Sequence, residues 1–86
     1  MTVTCFCAAW CHVCAEYRDG FFSLAARFPQ ARFAWLDIED DADEVGDREV
    51  ENFPTILVEK DGKDLFYGPL PPQHAHLARL LETLSG

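Results

Sequence analysis

The chain has 86 residues, 49% of them hydrophobic and 26% charged, a globular composition that excludes intrinsic disorder and leaves room for one core, so a single domain over residues 1–86 is expected. Seven Lys and Arg stand against fifteen Asp and Glu, a net charge of −8, which excludes nucleic acid and anionic lipid surfaces as natural partners. No apolar run approaches the roughly 18 residues of a membrane span, and Met1-Thr2-Val3-Thr4 has no basic n-region of a signal peptide, so a cytoplasmic protein is expected.

Thr2 to Cys7 is short, β-branched and apolar, and predicts a strand buried on both faces, with Val3, Cys5 and Cys7 on one side and Phe6 on the other. A helix is expected from about Cys11 to Phe28. Val13, Tyr17, Phe21, Leu24, Ala25 and Phe28 make its apolar stripe, Gly20 invites a local bend, and Pro29 stops it.

Phe33 to Ile38 predicts a second strand. Residues 41–50 predict a short helix with Asp40 or Asp41 as N-cap, weakened by Gly46. Nine of the fifteen acids lie between Asp37 and Glu51, with Arg48 the one base among them; this run reads as a solvated face, or as a docking face for a basic partner. Thr55 to Glu59 is a third strand, Lys60-Asp61-Gly62-Lys63 a hairpin turn, and Asp64 to Tyr67 the returning strand. Pro72 opens a last helix, whose buried stripe is Leu77, Leu80, Leu81 and Leu84. The order βαβαββα implies a mixed four-stranded sheet with helices on both faces, the first strands paired in parallel and the last two as an antiparallel hairpin.

All four cysteines, Cys5, Cys7, Cys11 and Cys14, fall within ten residues. Such clustering does not staple distant loops and demands a local chemistry. Cys11 and Cys14, at i and i+3 on a first helical turn, face one side and lie near enough for a disulfide. The N-terminal backbone N–H groups and macrodipole favour a thiolate on Cys11, while Cys14 is shielded one turn further in. Cys11 is therefore assigned as attacker and Cys14 as resolver. Cys5 and Cys7 read as buried small side chains, or as a second redox or metal pair. His74 and His76 face different sides of their helix and do not make a metal pair.

Trp10-Cys11-His12-Val13-Cys14 resembles the W-C-x-x-C of the thioredoxin superfamily, and Phe53-Pro54-Thr55 resembles its cis-proline segment, usually I-P-T. Asp61-Gly62 is similar to its hairpin turn and Gly68 to its strand-closing glycine, so the resemblance covers nearly the whole chain. It implies a thioredoxin-like α/β fold and a protein thiol–disulfide oxidoreductase without a bound cofactor. Substrates would be disulfide-bearing proteins, held by Trp10, His12, Phe53 and Pro54, with the Phe53 backbone offered to the bound peptide. Reducing equivalents would come from a thioredoxin-reductase-like flavoprotein or from glutathione, and the chain is expected to act as a monomer.

Three features depart from the family. The sequence begins at what resembles thioredoxin's second strand. Cys5 occupies the position of a buried Asp that relays a proton to the resolving cysteine, and Trp35 that of a nearby Lys. The pair between the cysteines is His12-Val13 rather than Gly-Pro, Pro-Tyr or Gly-His. Cys14 is therefore expected to resolve slowly or to use another base, such as Glu16 or water, and a Cys5–Cys14 disulfide is an alternative oxidised state. Two further alternatives are a glutaredoxin-like reductase and a Zn²⁺ or Cu(I) module built from the four cysteines, with or without His12. Against the first, Gly68-Pro69-Leu70-Pro71-Pro72 stands where glutaredoxins carry an acidic glutathione signature.

Overall fold

The structure, a computed structural model, describes residues 1–46, 48 and 50–85. Strand β1 runs Thr2–Cys7 and is buried from Val3 onward. A strand with apolar or small side chains on both faces needs a neighbour along each edge and a packed layer above and below. It has all four. Strands β2 (Arg32–Asp37), β3 (Thr55–Lys60) and β4 (Lys63–Pro69) complete one sheet in the order β2–β1–β3–β4.

Beside β1, β2 is parallel, with Cys5 opposite Trp35 and Cys7 opposite Asp37. On the other edge β3 is antiparallel, with Cys5 opposite Ile56 and Phe6 opposite Thr55. The parallel pairing expected of the first strands thus holds for β1 and β2, while β3, the first strand of the hairpin, enters antiparallel to β1. A parallel return needs a helical crossover that carries the chain back along the sheet. The helix between β2 and β3, α2, spans only Ala42–Val45. The chain therefore turns at the end of the sheet where β2 stops and re-enters in the opposite sense.

Helix α2 is shorter than expected. Asp41 is its N-cap residue, but the Asp41 carboxylate accepts a hydrogen bond from the Asp37 backbone N–H at 2.8 Å instead of capping the helix. Gly46, at φ +65°, ends the helix in a conformation that costs a side-chain-bearing residue energy. Two of the expected helical positions, Asp47 and Glu49, lie outside the described residues. The β3–β4 hairpin turns through Asp61 (φ 55°) and Gly62 (φ 79°), two successive left-handed residues that match the twist of the flanking strands.

Helix α1 spans His12–Ser23 and tightens into a 3₁₀ turn over Leu24–Ala26 before Pro29. Helix α3 spans His74–Ser85. Both lie on the sheet face that carries Val3, Cys5 and Cys7. There Cys14, Tyr17 and Phe21 of α1 pack with Leu77, Ala78 and Leu81 of α3. The opposite face buries Phe6 and Leu57 beneath Val45. Val13, assigned above to the buried stripe of α1, is instead exposed. It sits in the first turn of α1, beside the buried Cys14.

Gly20 was expected to bend α1; its role in the structure is spatial. A Cβ there would overlap the His74 ring, which stacks on Tyr17 (centroids 4.7 Å, 11° between planes) and hydrogen-bonds the Tyr17 carbonyl at 2.9 Å. Gly20→Ala should therefore expel His74. The lost hydrogen bond and stack, together about 1–2 kcal/mol, outweigh the gain of about 1 kcal/mol in helix propensity. In a His74→Ala background the same change should stabilise. Urea denaturation of the four proteins reads the reversal of sign; a loss of equal size in both backgrounds would refute it.

Tyr17 is also the one described side chain whose buried polar atom, its hydroxyl, has no hydrogen-bond partner. Burial pushes its ionisation well above the ordinary tyrosine range, with the neighbouring Cys5 adding to the shift. Tyr17→Phe removes an unsatisfied buried group, so stability should hold or rise by about 1–2 kcal/mol. A loss of stability in thermal melts would reveal a partner for the hydroxyl.

Candidate active site

The site forms where the carboxyl ends of parallel β1 and β2 meet the start of α1, the end of an open α/β sheet at which loops converge. Cys11 is the N-cap residue of α1, with extended backbone (φ −90°, ψ 116°). Its N–H donates to the Ala8 carbonyl at 3.0 Å and its carbonyl accepts from Ala15 N–H at 3.2 Å. The turn Ala8-Ala9-Trp10 is thereby pinned against the helix start. The Cys11 thiol is free and partly exposed, and no side-chain hydrogen bond caps the helix at this position.

Cys14, one turn in, is buried, and its sulfur is bonded to Cys7 of β1. The sequence led to a different pairing, Cys11 with Cys14, or alternatively Cys5 with Cys14. Cys5 and Cys7 share a strand face, as their alternation requires, and Cys5 Sγ lies 3.6 Å from Cys7 Sγ. The stagger of helix on strand sets Cys7, one pleat nearer the helix start, opposite Cys14. Cys5 is fully buried, and desolvation holds its thiol protonated far above the ordinary cysteine range. The suggested base Glu16 is exposed on α1.

Trp10 is 65% exposed. Its indole N–H donates to Glu39 Oε1 at 2.8 Å, and its ring meets Phe53 edge-on at 5.6 Å between centroids. The Phe53–Pro54 bond is cis. Trp10, Phe53 and Cys11 thus come together on one surface, flanked by exposed His12 and Val13. Pro54 differs from the expectation for the substrate groove. Its ring is buried and its carbonyl accepts from Leu70 N–H at 3.2 Å, so the segment presents Phe53 rather than Pro54.

Beside Cys14 opens a cleft lined by Ala8, Ala15, Arg18, Trp35 and Asp37. Arg18 lies 5.8 Å from the ring centroids of both Phe22 and Trp35. Asp37 accepts backbone hydrogen bonds from Asp40 (3.0 Å) and Glu39 (2.8 Å), which hold its carboxyl below the usual range. Its contribution to stability is thus present above the unfolded carboxyl value of about 3.9 and is lost as pH falls through the lower folded value. Glu39, Asp37 and Arg18 were not singled out from the sequence. Parallel pairing of β1 with β2 is the signal that brings residues 37–39 beside Trp10. The rest of the acidic run is mostly solvated: Asp40, Asp43, Glu44 and Glu51 are exposed.

The four-cysteine metal module does not assemble. Cys7 and Cys14 are joined to each other, Cys5 is enclosed and Cys11 lies at the surface. Among the described residues no group of three or more His, Cys, Asp or Glu is arranged to hold a metal ion, and His74 is engaged with the Tyr17 carbonyl.

The family model described as Thioredoxin matches residues 1–82. Thioredoxin-1 of Saccharomyces cerevisiae is 32% identical over 65 residues, which is 76% of this chain and 63% of that protein. A protein described as putative thioredoxin H10 of Arabidopsis thaliana is 35% identical over 60 residues, 70% of this chain and 39% of that one. The chain thus spans less than two thirds of the length of these curated relatives. Among solved structures, thioredoxin from Trypanosoma brucei brucei superposes with a TM-score of 0.85 at 26% identity, covering 98% of this chain and 74% of that one. Mitochondrial thioredoxin 3 of Saccharomyces cerevisiae gives 0.83 at 24% identity, covering 95% and 76%.

Proposed function

The chain belongs to the thioredoxin family, and on that premise we propose that it is a protein thiol–disulfide oxidoreductase in which Cys11 attacks and Cys14 resolves. One observation carries the reading. Cys11 is a partly exposed free thiol at a helix N-cap, Cys14 is buried one turn behind it, and the adjoining Trp10 packs edge-on against Phe53.

The cycle starts from the reduced protein. The Cys11 thiolate attacks one sulfur of a substrate disulfide. A mixed disulfide forms and the other substrate sulfur leaves as a thiolate. Cys14 then attacks Cys11 Sγ, releasing the second substrate thiolate and closing Cys11–Cys14. Trp10, braced by Glu39 and Phe53, offers apolar surface to the substrate, and the Phe53 backbone is the edge along which an extended peptide would pair.

Gly68-Pro69-Leu70-Pro71-Pro72 carries no acidic glutathione signature, so protein disulfides are the substrates we favour over glutathione, with a thioredoxin-reductase-like flavoprotein as the donor. A reducing compartment such as the cytoplasm suits a catalytic free thiol. Among the described residues no helix is long and apolar enough to cross a membrane. The protein should accelerate reduction of insulin disulfides by dithiothreitol. It should also couple to NADPH through thioredoxin reductase rather than through glutathione and glutathione reductase. No acceleration in either system would overturn the reading, and coupling through glutathione alone would favour the glutaredoxin-like alternative.

A further inference from the structure

The proposed cycle uses two thiols and leaves Cys5 and Cys7 without work, yet the sulfur bonded to Cys14 is that of Cys7. Cys14 has two partners within reach. Cys11 is one helical turn away, and Cys7 faces it from β1 with a Cα–Cα separation of 5.9 Å, inside the ordinary disulfide range of about 4.4–6.8 Å. The two partners differ in access. Cys11 is partly exposed, whereas Cys7 and Cys14 are 1% and 2% exposed.

We propose that the oxidised protein interconverts between two disulfides sharing Cys14: Cys11–Cys14, made when substrate is reduced, and Cys7–Cys14, which stores the oxidation in the core and returns Cys11 to the surface as a free thiol. This extends the reading of Cys11 as attacker and rests on it. In the exchange, the Cys7 sulfur, as thiolate, attacks Cys14 Sγ. The Cys7–Cys14 bond forms and the Cys11–Cys14 bond breaks, its electron pair leaving on Cys11 Sγ. The proton lost by Cys7 ends on Cys11 through solvent at the start of α1. One disulfide and one thiol are consumed and one of each is made, so no external oxidant or reductant takes part.

Burial shapes both sides of this exchange. A disulfide carries no charge and loses little in an apolar core, while a buried thiolate is costly. The exchange is therefore slow and its product well placed. Cys5, 3.6 Å from Cys7 and kept protonated by its surroundings, is positioned to donate its S–H to the Cys7 sulfur and so to ease the thiolate stage. Once formed, Cys7–Cys14 is closed to attack from solution. Reduction follows the reverse route: Cys11 attacks Cys14 Sγ, releasing Cys7 and restoring Cys11–Cys14, which an external dithiol then reduces, its own sulfurs leaving as a disulfide. Cys7 then acts as a latch that delays reactivation by a reductant.

The test maps the disulfide in the full chain. Reduced protein is oxidised with one equivalent of diamide, sampled over hours, quenched in acid, denatured and alkylated, and the modified cysteines are read by tandem mass spectrometry. The expected result is alkylation of Cys5 and Cys11 with Cys7 joined to Cys14, preceded at early times by Cys11–Cys14. Persistent alkylation of Cys5 and Cys7, with Cys11–Cys14 intact at every time, would overturn the proposal. The Cys7→Ala variant should hold only Cys11–Cys14 and be reduced by dithiothreitol about tenfold faster, because its disulfide is reachable from solution; equal rates would count against the latch. Insulin reduction by Cys11→Ser separates the two readings. Loss of activity there with only Cys11–Cys14 in the map removes the latch and keeps the oxidoreductase, whereas retained activity removes the attacker assignment on which the latch depends.

Discussion

Cys11→Ser should lose insulin-disulfide reduction down to the rate of dithiothreitol alone, a fall of about a thousandfold or more, as expected when a nucleophile is removed from a unit that acts through it. Serine is nearly isosteric, but its hydroxyl is not ionised at neutral pH and does not exchange with disulfides. The loss will not come from unfolding. Cys11 is only partly buried, it is not in the disulfide seen in the structure, and it makes no side-chain cap for α1. Serine is among the preferred N-cap residues and can accept from a first-turn N–H, so the melting temperature should hold or rise, by about 0.5–1 kcal/mol of added stability. Cys14→Ser should behave differently. It retains the first attack and accumulates a mixed disulfide on Cys11, seen as a mass increase equal to the substrate thiol. A Cys11→Ser protein that still reduces insulin, or a Cys14→Ser protein that fails to trap substrate, would reassign the roles.

Much of this site was legible because its local chemistry is written at short range. The limits of β1, the Asp61-Gly62 turn and the placing of Trp10-Cys11-His12-Val13-Cys14 between strand and helix all depend on residues within a few positions of one another. What depends on packing between distant segments was not legible. Strand alternation put Cys5 and Cys7 on one face, but which of them lies opposite Cys14 is decided by the stagger of α1 over β1. The direction of β3 depended on α2 being one turn long, although the acidic stretch around it tolerates a longer helix by propensity. The Trp10–Glu39 hydrogen bond joins residues 29 apart in sequence, and the fit of His74 against Gly20 needs the α1–α3 approach. Val13 shares the helical spacing of Tyr17 and Phe21, but burial of the first turn falls on Cys14 instead.

Cys5→Asp should exchange stability for speed, with opposite pH dependences. Cys5 is fully enclosed on β1, so an aspartate there is desolvated and its ionisation is raised by as much as about 3–5 pH units. A folded value above the unfolded one of about 3.9 means that the folded state binds the extra proton. Stability is then fully retained below about pH 4 and falls as pH rises toward the folded value, by about 1.4 kcal/mol per unit. Urea midpoints should therefore be close to those of the parent at pH 4 and well below them at pH 7, while Cys5→Ala shows no such slope. The same carboxylate, titrating near neutrality, is a suitable base for a buried thiol. Through Cys7, 3.6 Å from Cys5 Sγ and bonded to Cys14, it lies one sulfur removed from the resolving cysteine. Resolution of the mixed disulfide, followed by stopped flow, should quicken in Cys5→Asp as pH rises from 6 to 8. If the parent and Cys5→Asp resolve at equal rates across that range, proton removal at Cys14 is not limited by residue 5, and the protonated thiol at that position is a packing choice without kinetic consequence.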